Sequence, residues 1–581
     1  ALDQLVLRWM RHRGPTEATQ VAAEFGMGVA TAESLLKRWV ADRRLDAGVF
    51  VEGGVASDHK APQPQHSVAK QYVDVAMLRR LRQATLAAAR GAVEPVTRKT
   101  YAQFLTEWHM LGQAERLDLP SVLEQLAGLA MPASAWETMV LPARIPDYRP
   151  SDLDDLLATG EFLVVGQGTT GAKDSWISII PAVLKDYLLA ESAKTEEDIV
   201  VEVGIIAKQL LDKLRGGGAY LASELAQLTG IGHKELDAAL WELFDAGLVA
   251  PDSFAALRAR LTEAGTSGKQ AHRAPRRDRG RGSTRAGTGR LRMGRGRFAH
   301  AMMSQEAAQR TREARAALNA HSGVPGRWSA VNVNAQDGIA EAARAAEAAA
   351  VQGEAWIERY AVVTRGSVVA EKTDGGFAQA YRVLSAWEDS GAVLRGYIID
   401  GLGGAQFAPR EVIDALRRTE DSTPAGTEGP GTEPYVLAAV DPANPYGAAL
   451  PWPVAFGAGT QESDRANPNP TGDAEESAAR LSRTAGALVV LRQGELLAYV
   501  GRGGRSVWVF PVEAELNFGD EEDQVSQAVP WVVEAVAASV KKGRMSPLIV
   551  EKINGVPVMD APLKAWTVAG ARLTPKGLTI K

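Results

Sequence analysis

The chain has 581 residues, 45% of them apolar and 23% charged, a globular composition over a length that exceeds the roughly 250–300 residues of one core. Cysteine is absent, which excludes disulfides, thiolate metal sites and cysteine nucleophiles, and no apolar run reaches the roughly 18 residues of a membrane span. The net charge of −5 excludes a global attraction to nucleic acid, so we expect a multidomain cytoplasmic protein without a membrane partner that meets DNA through local basic patches.

Three short amphipathic segments open the chain: LDQLVLRWMRHRG, TEATQVAAEFG and VATAESLLKRWVADRRL. With VFVE as a wing strand, they predict a winged helix over residues 1–58. The region 70–130 is predicted as helical or winged-helix and contains a basic helix from Val73 to Ala92. Arg79 and Arg80 on this helix are candidates for phosphate contacts, and a solvated charged face is the alternative.

Residues 131–196 predict a winged helix with a glycine-rich hairpin. Its strands are EFLVVGQG and WISIIP, and PSDLDDLLATG is the helix before them. The glycines are followed by a strand rather than a helix and lack GK[ST], so they do not form a nucleotide-binding P-loop. Arg144, just before the helix, is a candidate for DNA contact.

Residues 197–262 predict another winged helix, and residues 263–300 a basic linker. Between Lys269 and Arg297 the sequence has eleven basic residues and one acid, a local charge of about +10 that binds phosphates by counterion release. The candidates for DNA contact within it are Arg276, Arg277, Arg279 and Arg281, and a solvated tether is the alternative.

Residues 301–418 predict helices followed by a winged helix. Its second helix is expected from Phe377 to about Asp389, because apolar side chains recur there at spacings of three and four. LRGYIID and the returning QFA form its wing. Arg365, Arg382 and Arg395 are candidates for phosphate contacts.

A linker over residues 419–433 leads to a β-rich region, 434–581, in which strands alternate with glycine turns and predict a small β-barrel. Arg502 and Arg505 lie at a hairpin tip and are candidates for phosphate contact. Three aspartates in or near this region, Asp400, Asp441 and Asp560, are candidates for a catalytic carboxylate, with loop capping as the alternative.

Three segments in order resemble the carboxy-terminal half of Lhr, the large helicase-related proteins of bacteria, here of the actinobacterial type. They are RRLRQATLAAARGAVEPV, MVLPARIPDYRPSDLDDLLATGEFLVVGQGTTGAKDSWISIIP and RGYIIDGLGGAQFA. The resemblance implies an α+β multidomain fold of tandem winged helices followed by a small β-barrel, arranged as in AlkZ-type DNA glycosylases. It also implies a superfamily 2 helicase core elsewhere in the protein, which binds ATP and Mg²⁺.

The function remains open between three alternatives at this point. The first, which the resemblance implies, is a DNA-binding and oligomerisation module of an ATP-dependent 3′-to-5′ DNA repair helicase. The chain itself has neither GxxxxGK[ST] nor a DExH box, so we expect no ATPase motor in it. The second is a uracil-type DNA glycosylase that flips bases. The third is a protein-interaction scaffold. The resemblance implies single-stranded DNA, the protein's own helicase core and further copies of the chain as partners, at the nucleoid. We expect no metal site and no cofactor in this part.

Overall fold

The computed structural model describes residues 2–50, 70–91, 94–111, 117–170, 173–189, 203–264, 324–331, 341–373, 375–422, 433–453, 481–512 and 521–581. These residues divide into two compact units. Unit 1 comprises Ala1–Pro95 and Leu384–Ile398, and unit 2 comprises Val96–Val383 and Ile399–Lys581. The predicted contacts of the linker arginines Arg276, Arg277, Arg279 and Arg281 lie outside the described residues.

Helices are present in both units. In chain order they are α1 Leu2–Met10, α2 Ala18–Phe25, α3 Val29–Ala41, α4 Val75–Gly91, α5 Arg98–Trp108, α6 Leu119–Gln125, α7 Ala133–Ala135, α8 Leu141–Arg144, α9 Pro150–Thr159, α10 Lys185–Leu188, α11 Ile205–Arg215, α12 Ala222–Thr229, α13 His233–Asp245, α14 Ala255–Ala264, α15 Glu341–Tyr360, α16 Arg365–Glu371, α17 Gly376–Ser390, α18 Arg410–Ser422, α19 Glu521–Lys541 and α20 Lys564–Val568. A π-helical turn, Trp136–Val140, joins α7 to α8.

The strands are short and are concentrated after residue 434. They are β1 Thr16–Glu17, β2 Leu45–Gly48, β3 Gln71–Asp74, β4 Met131–Pro132, β5 Phe162–Thr169, β6 Ser175–Pro181, β7 Tyr220–Leu221, β8 Val249–Pro251, β9 Arg327–Ala330, β10 Leu394–Gly396, β11 Gln406–Ala408, β12 Tyr435–Ala438, β13 Leu488–Arg492, β14 Glu495–Val500, β15 Ser506–Val509, β16 Leu548–Val550, β17 Lys552–Ile553, β18 Val556–Pro557, β19 Arg572–Thr574 and β20 Gly577–Ile580.

Unit 1 contains the first winged helix. Helices α1, α2 and α3 bury Val6, Val21 and Leu36 completely, as their helical spacing predicts. The sheet has the antiparallel order β1-β3-β2, so its middle strand comes from residues 71–74, beyond the predicted end at residue 58. The second strand is Leu45–Gly48, and Val49 and Phe50, the described half of the predicted strand VFVE, lie outside it. A strand that comes from residues far along the sequence carries no local signal of its pairing, which explains why the predicted end falls short.

The described residues of unit 2 include an extended hydrophobic cluster that continues across several winged helices and into the β-rich region. It includes Trp136 beside the β5–β6 hairpin, Trp328 on β9, and Trp566 near the carboxyl end. Trp328 is fully buried and packs edge-to-face against Trp241, with ring centroids 5.4 Å apart. β9 lies between β7 and β8, so the segment Arg327–Ala330 completes the winged helix that α11, α12 and α13 begin.

The helix-turn-helix of α16 and α17 is formed as its sequence predicts. Thr364 precedes α16, where its Oγ1 accepts a hydrogen bond from the Ser367 backbone N–H at 3.1 Å while Ser367 Oγ accepts from the Thr364 N–H at 3.0 Å. This capping box satisfies N–H groups that have no partner inside the helix. Helix α17 runs from Gly376 to Ser390, one residue longer at each end than predicted.

The β-rich region forms an open sheet in the described part of the chain. Its order is β12-β13-β14-β15-β17-β18, with a separate sheet of order β16-β20-β19. Only the β15–β17 pair is parallel among the pairings of the six-stranded sheet. Helix α19 covers one face and buries Val529, Val532 and Val536. The predicted closure into a small barrel is not seen among these strands, because alternation along each strand predicts pairing but does not determine whether the edges meet.

Candidate nucleic-acid interface and a buried ion-pair network

In unit 1 the predicted DNA-contacting arginines lie on helix α4 and strand β10. Arg79 and Arg80 are exposed on α4. Asp74 accepts hydrogen bonds from the backbone N–H groups of Ala76 and Met77 and so begins this helix. Arg395 on β10 is only half-exposed, and its Nε lies 3.3 Å from Glu388 Oε2. Two of the three arginines therefore have guanidinium groups directed to solvent, and the third is held by a carboxylate.

In unit 2 two predicted arginines lie on the helix-turn-helix. Arg365 is the first residue of α16, and Arg382 lies on α17; both are exposed. Ala380 on the opposite side of α17 is fully buried, and Tyr381 packs edge-to-face on Phe407 with centroids 5.6 Å apart. In helix-turn-helix proteins the second helix enters the major groove while neighbouring residues contact the backbone. The two arginines have the placement that this use of the fold requires.

Arg502 and Arg505 lie in the turn between β14 and β15 and are exposed. Arg505 Nη1 is 3.5 Å from Glu551 Oε1, and both side chains remain about half-exposed. Exposed ion pairs contribute about 0–1 kcal/mol, so Glu551 holds Arg505 only weakly. The hairpin tip therefore offers a second exposed basic position in unit 2.

Arg144 was predicted to contact DNA, but the structure places it in the protein interior. Its side chain is fully buried at the end of α8, where Nη2 and Nη1 donate to the two carboxylate oxygens of Asp441 at 2.8 and 3.0 Å. Nη1 also donates to the Val140 carbonyl at 3.1 Å. The two residues are 297 positions apart in sequence, and only the fold reveals that each is the partner of the other.

Asp441 is likewise buried and is used inside the protein. Burial acts to raise the pKa of its carboxyl, but the charge and hydrogen bonds of Arg144 outweigh burial and lower it. Its Oδ1 also accepts from the Ala443 N–H at 2.9 Å. Asp441 is thus an ionised structural carboxylate without access to solvent, whereas the other two candidates, Asp400 and Asp560, are exposed.

His109 extends this network. Arg144 Nη2 donates to His109 Nδ1 at 3.1 Å, and His109 Nε2 lies 2.9 Å from the carbonyl oxygen of Arg359. Since Nδ1 must accept and Nε2 must donate, the ring is the neutral tautomer with its proton on Nε2. Burial and then the charge of Arg144 lower the pKa of His109 to about 3. Both ring nitrogens are therefore occupied, and the ring stays neutral at physiological pH.

A second buried ion pair, between Arg359 and Glu371, is connected to this network through the Arg359 carbonyl. Arg359 Nε and Nη2 donate to the two oxygens of Glu371 at 2.7 and 2.8 Å, and Nη1 donates to the Ala127 carbonyl at 2.6 Å. Trp356 Nε1 donates to Glu371 as well, at 3.0 Å. The connected hydrogen bonds fasten α15 and α16 to the segment around residues 127–144 and to the loop after β12.

Arg483 holds the loop after β12 through hydrogen bonds to the backbone of the loop. Its two terminal nitrogens donate to the backbone carbonyls of Val440, Asp441, Asn444 and Tyr446 at 2.6–3.2 Å. Five rigid donors in one plane suit such a cluster of carbonyls. The proline-bound loop that carries Tyr446 and Trp452 is thus tied to the protein, and both aromatic rings pack with the cluster around Val489 and Tyr499.

Glu137 was not identified from sequence, although it is a single acid in the apolar run AWETMVLP. It lies in the π-helical turn, where its Oε1 accepts from Tyr148 Oη at 2.7 Å and lies 3.4 Å from Arg258 Nη1. Burial raises the pKa of Glu137 to about 7, against the opposing charge of Arg258. One carboxyl of unit 2 therefore changes charge near neutral pH. No cluster of metal-ligating side chains occurs among the described residues.

The sheets and helices define a class of protein: an array of winged-helix domains joined to a β-rich domain. Models of the winged-helix domains of the large helicase-related protein match twice. The third-domain model covers residues 96–182 and the fourth-domain model residues 342–428. The chain belongs to the Lhr family and corresponds to a carboxy-terminal part of an Lhr protein. The match at 96–182 crosses the boundary predicted at residue 130.

Two relatives extend over the whole chain. "Lhr helicase/ probable uracil glycosylase" from Mycolicibacterium smegmatis is 36% identical over 593 residues, which cover 100% of this chain and 34% of that protein. "Lhr helicase/uracil glycosylase" from Escherichia coli is 30% identical over 604 residues, covering 99% and 33%. The chain thus spans about a third of the length of these relatives.

A structural similarity was also found to the Streptomyces sahachiroi DNA glycosylase AlkZ. The TM-score is 0.35 at 12% sequence identity, covering 79% of this chain and 100% of that one. A similarity at this level does not establish a shared arrangement, so the AlkZ-like arrangement stays a prediction. In the part of the chain that the structure describes, no helix is both long enough and apolar enough to cross a membrane.

Proposed function

We propose that the chain is the DNA-binding and oligomerisation module of an ATP-dependent 3′-to-5′ DNA repair helicase, with the ATP- and Mg²⁺-binding motor outside this sequence. The observation that carries the proposal is the exposed pair Arg365 and Arg382 on a helix-turn-helix that belongs to an Lhr winged-helix domain. The partners proposed are single-stranded DNA, the helicase core and further copies of the chain, at the nucleoid.

Binding would rest on phosphate contacts rather than on reading of bases. Arginines at helix starts and hairpin tips position a nucleic acid without sequence preference. The exposed positions are Arg79 and Arg80 in unit 1 and Arg365, Arg382 and Arg502 in unit 2, so each unit offers phosphate contacts of its own. A repair module needs this kind of contact because damage occurs in any sequence context.

We expect the substitution of both Arg365 and Arg382 by glutamine to weaken binding of single-stranded DNA roughly tenfold at about 100 mM salt. The slope of log affinity against log salt should fall by about 1.4, since each phosphate contact to a single strand contributes about 0.7. Fluorescence anisotropy across a salt series measures both quantities. Arg410→Gln, which removes one exposed arginine from α18, is the control for loss of a positive charge elsewhere and should leave the slope unchanged.

A second variant tests the basic segment, in which all arginines from Arg273 to Arg297 become glutamine. It should lower both the affinity and the salt slope further. Binding by the unmodified chain that does not depend on salt, or an equal loss in Arg410→Gln, would contradict the proposal and favour the protein-interaction scaffold.

A uracil-type DNA glycosylase is the second candidate function, and the names of both relatives favour it. If the chain removes uracil by base flipping, alkali treatment after incubation should cleave uracil-containing DNA. Asp400→Asn or Asp560→Asn should then slow cleavage roughly 100-fold or more, the contribution typical of a positioned acid or base. Circular dichroism of each variant separates lost chemistry from lost folding. The absence of abasic product at a large excess of protein would refute this function.

A further inference from the structure

A groove of about 760 Å³ lies in unit 2 between α5, α6, the end of α15 and α18. Its described lining includes none of the exposed arginines and none of the candidate aspartates. This lining includes Phe104, Trp108 and Gln125 and the carboxylates of Glu107, Glu124 and Glu358. Most of the area that lines the groove is apolar, and the volume is in the range of small-molecule sites.

The aromatic wall of the groove is held rigidly. The rings of Phe104 and Trp108 stack with centroids 5.9 Å apart and planes inclined by 30°. Trp108 Nε1 donates to the Glu358 carbonyl at 2.6 Å, and Gln125 Nε2 donates to the Trp108 carbonyl at 3.2 Å. The indole is therefore fixed before any ligand arrives, which reduces the entropy lost on binding.

Three carboxylate side chains line the groove together with the aromatic wall. The described lining includes no cationic side chain. Glu124 and Glu358 are exposed, whereas Glu107 is half-buried and accepts a hydrogen bond from Gln103 Nε2 at 3.0 Å. None of the three forms an ion pair with another described residue. Their negative charge disfavours nucleotides and DNA phosphates and attracts cations. The faces of Trp and Phe attract ammonium groups as well.

We propose that this groove binds a linear aliphatic polyamine. The methylene chain of such a ligand covers the apolar wall, and its terminal ammonium groups reach the carboxylates of Glu107, Glu124 and Glu358. Charge complementarity selects the polycation, and the apolar area selects a ligand with methylenes over a bare metal cation. This inference does not depend on the proposed DNA binding.

The test is isothermal titration of the whole chain with spermidine at about 150 mM salt, where diffuse attraction is screened beyond about 8 Å. Saturable binding at one site is expected. The variant Glu107→Gln/Glu124→Gln/Glu358→Gln should bind roughly 30-fold more weakly, since each carboxylate contributes about threefold. The control Glu347→Gln/Glu354→Gln/Glu411→Gln removes the same charge from exposed positions outside the groove and should bind as the wild type does.

Three results would overturn the proposal. One is the absence of saturable spermidine binding up to about 5 mM, an affinity too weak for specific recognition. Another is equal weakening in the control variant, or equal displacement by Mg²⁺, which would show diffuse attraction to an acidic protein. The third is groove-dependent binding of a synthetic peptide of residues 269–297 without binding of spermidine, which would make the groove a peptide site. If the triple variant loses its thermal transition, Glu124→Gln and Glu358→Gln at exposed positions carry the same test.

Discussion

Replacement of Asp441 by alanine is expected to lower the free energy of unfolding by about 3–5 kcal/mol. The reason is that Arg144 would remain fully buried with its charge uncompensated, since two of its hydrogen bonds end on the two oxygens of Asp441. His109 cannot replace the lost carboxylate because it is neutral and acts toward Arg144 only as an acceptor. Differential scanning calorimetry or a urea titration measures the loss.

The matched control is Glu551→Ala, which breaks the ion pair with Arg505 at the surface. It should cost less than about 1 kcal/mol. The double variant Arg144→Met/Asp441→Leu should recover most of the stability, because a buried pair replaced by apolar side chains loses neither partner alone. Equal effects of Asp441→Ala and Glu551→Ala would show that the buried pair is not formed as described.

The pH dependence of this effect follows from the lowered pKa of Asp441. A carboxyl whose folded pKa lies below its unfolded value of 3.8 contributes stability at every pH above that value and loses it as the pH falls through the folded pKa. The difference between wild type and Asp441→Ala should therefore stay constant from about pH 8 to about pH 5 and shrink only in stronger acid.

Gly494→Ala is expected to cost about 2–4 kcal/mol, the second-largest effect. Gly494 has φ of +78° in the β13–β14 turn, and a Cβ there would lie 2.2 Å from the Lys99 carbonyl oxygen and 2.8 Å from the Gln103 nitrogen. The left-handed conformation disfavours alanine by about 1 kcal/mol, and forcing the turn away from α5 adds about 1–3 kcal/mol. It would also disturb the 2.7 Å hydrogen bond from Tyr446 Oη to the Gly494 carbonyl.

The chain provides a matched control in a second turn of the same kind. Gly555 follows Asn554 between β17 and β18 with φ of +81°, and no atom lies within 4 Å of where its Cβ would be. Gly555→Ala should therefore show only the conformational cost of about 1 kcal/mol. The shift in unfolding midpoint compares the two variants directly. If they are equal, the close approach of the turn to α5 does not contribute, and the stability of the turn is purely local.

Short-range sequence patterns predicted the helices and hairpins whose contacting residues lie close together in the sequence. The 3–4 spacing of apolar residues placed helix α17 within one residue at each end, because one turn of helix brings those side chains to one face. Alternation between glycine turns predicted the β5–β6 hairpin and the β13–β14 strands. In each case the contacting residues are close in sequence, so the sequence pattern is sufficient to predict the contact.

The candidate site was predicted less completely, for a physical reason that Arg144 illustrates. An arginine next to a helix end is most often solvated, and its sequence neighbours do not show whether a carboxylate lies behind it. Burial of Arg144 depends on Asp441 and on Arg359, which positions His109 through its carbonyl. Arg365, the first residue of α16, and Arg382 on α17 lie at the surface.

The sequence by itself determined the winged-helix units, the absence of thiol chemistry and of ATPase motifs, and the exposed basic positions on helices, because these depend on composition and short-range spacing. The tertiary structure alone decided that the strands after residue 434 form an open sheet in the described part, that β3 completes the first winged helix, and that Arg144 and Asp441 neutralise each other. Pairing across hundreds of residues depends on which surfaces pack together and how their charges are desolvated, and no local pattern records that outcome.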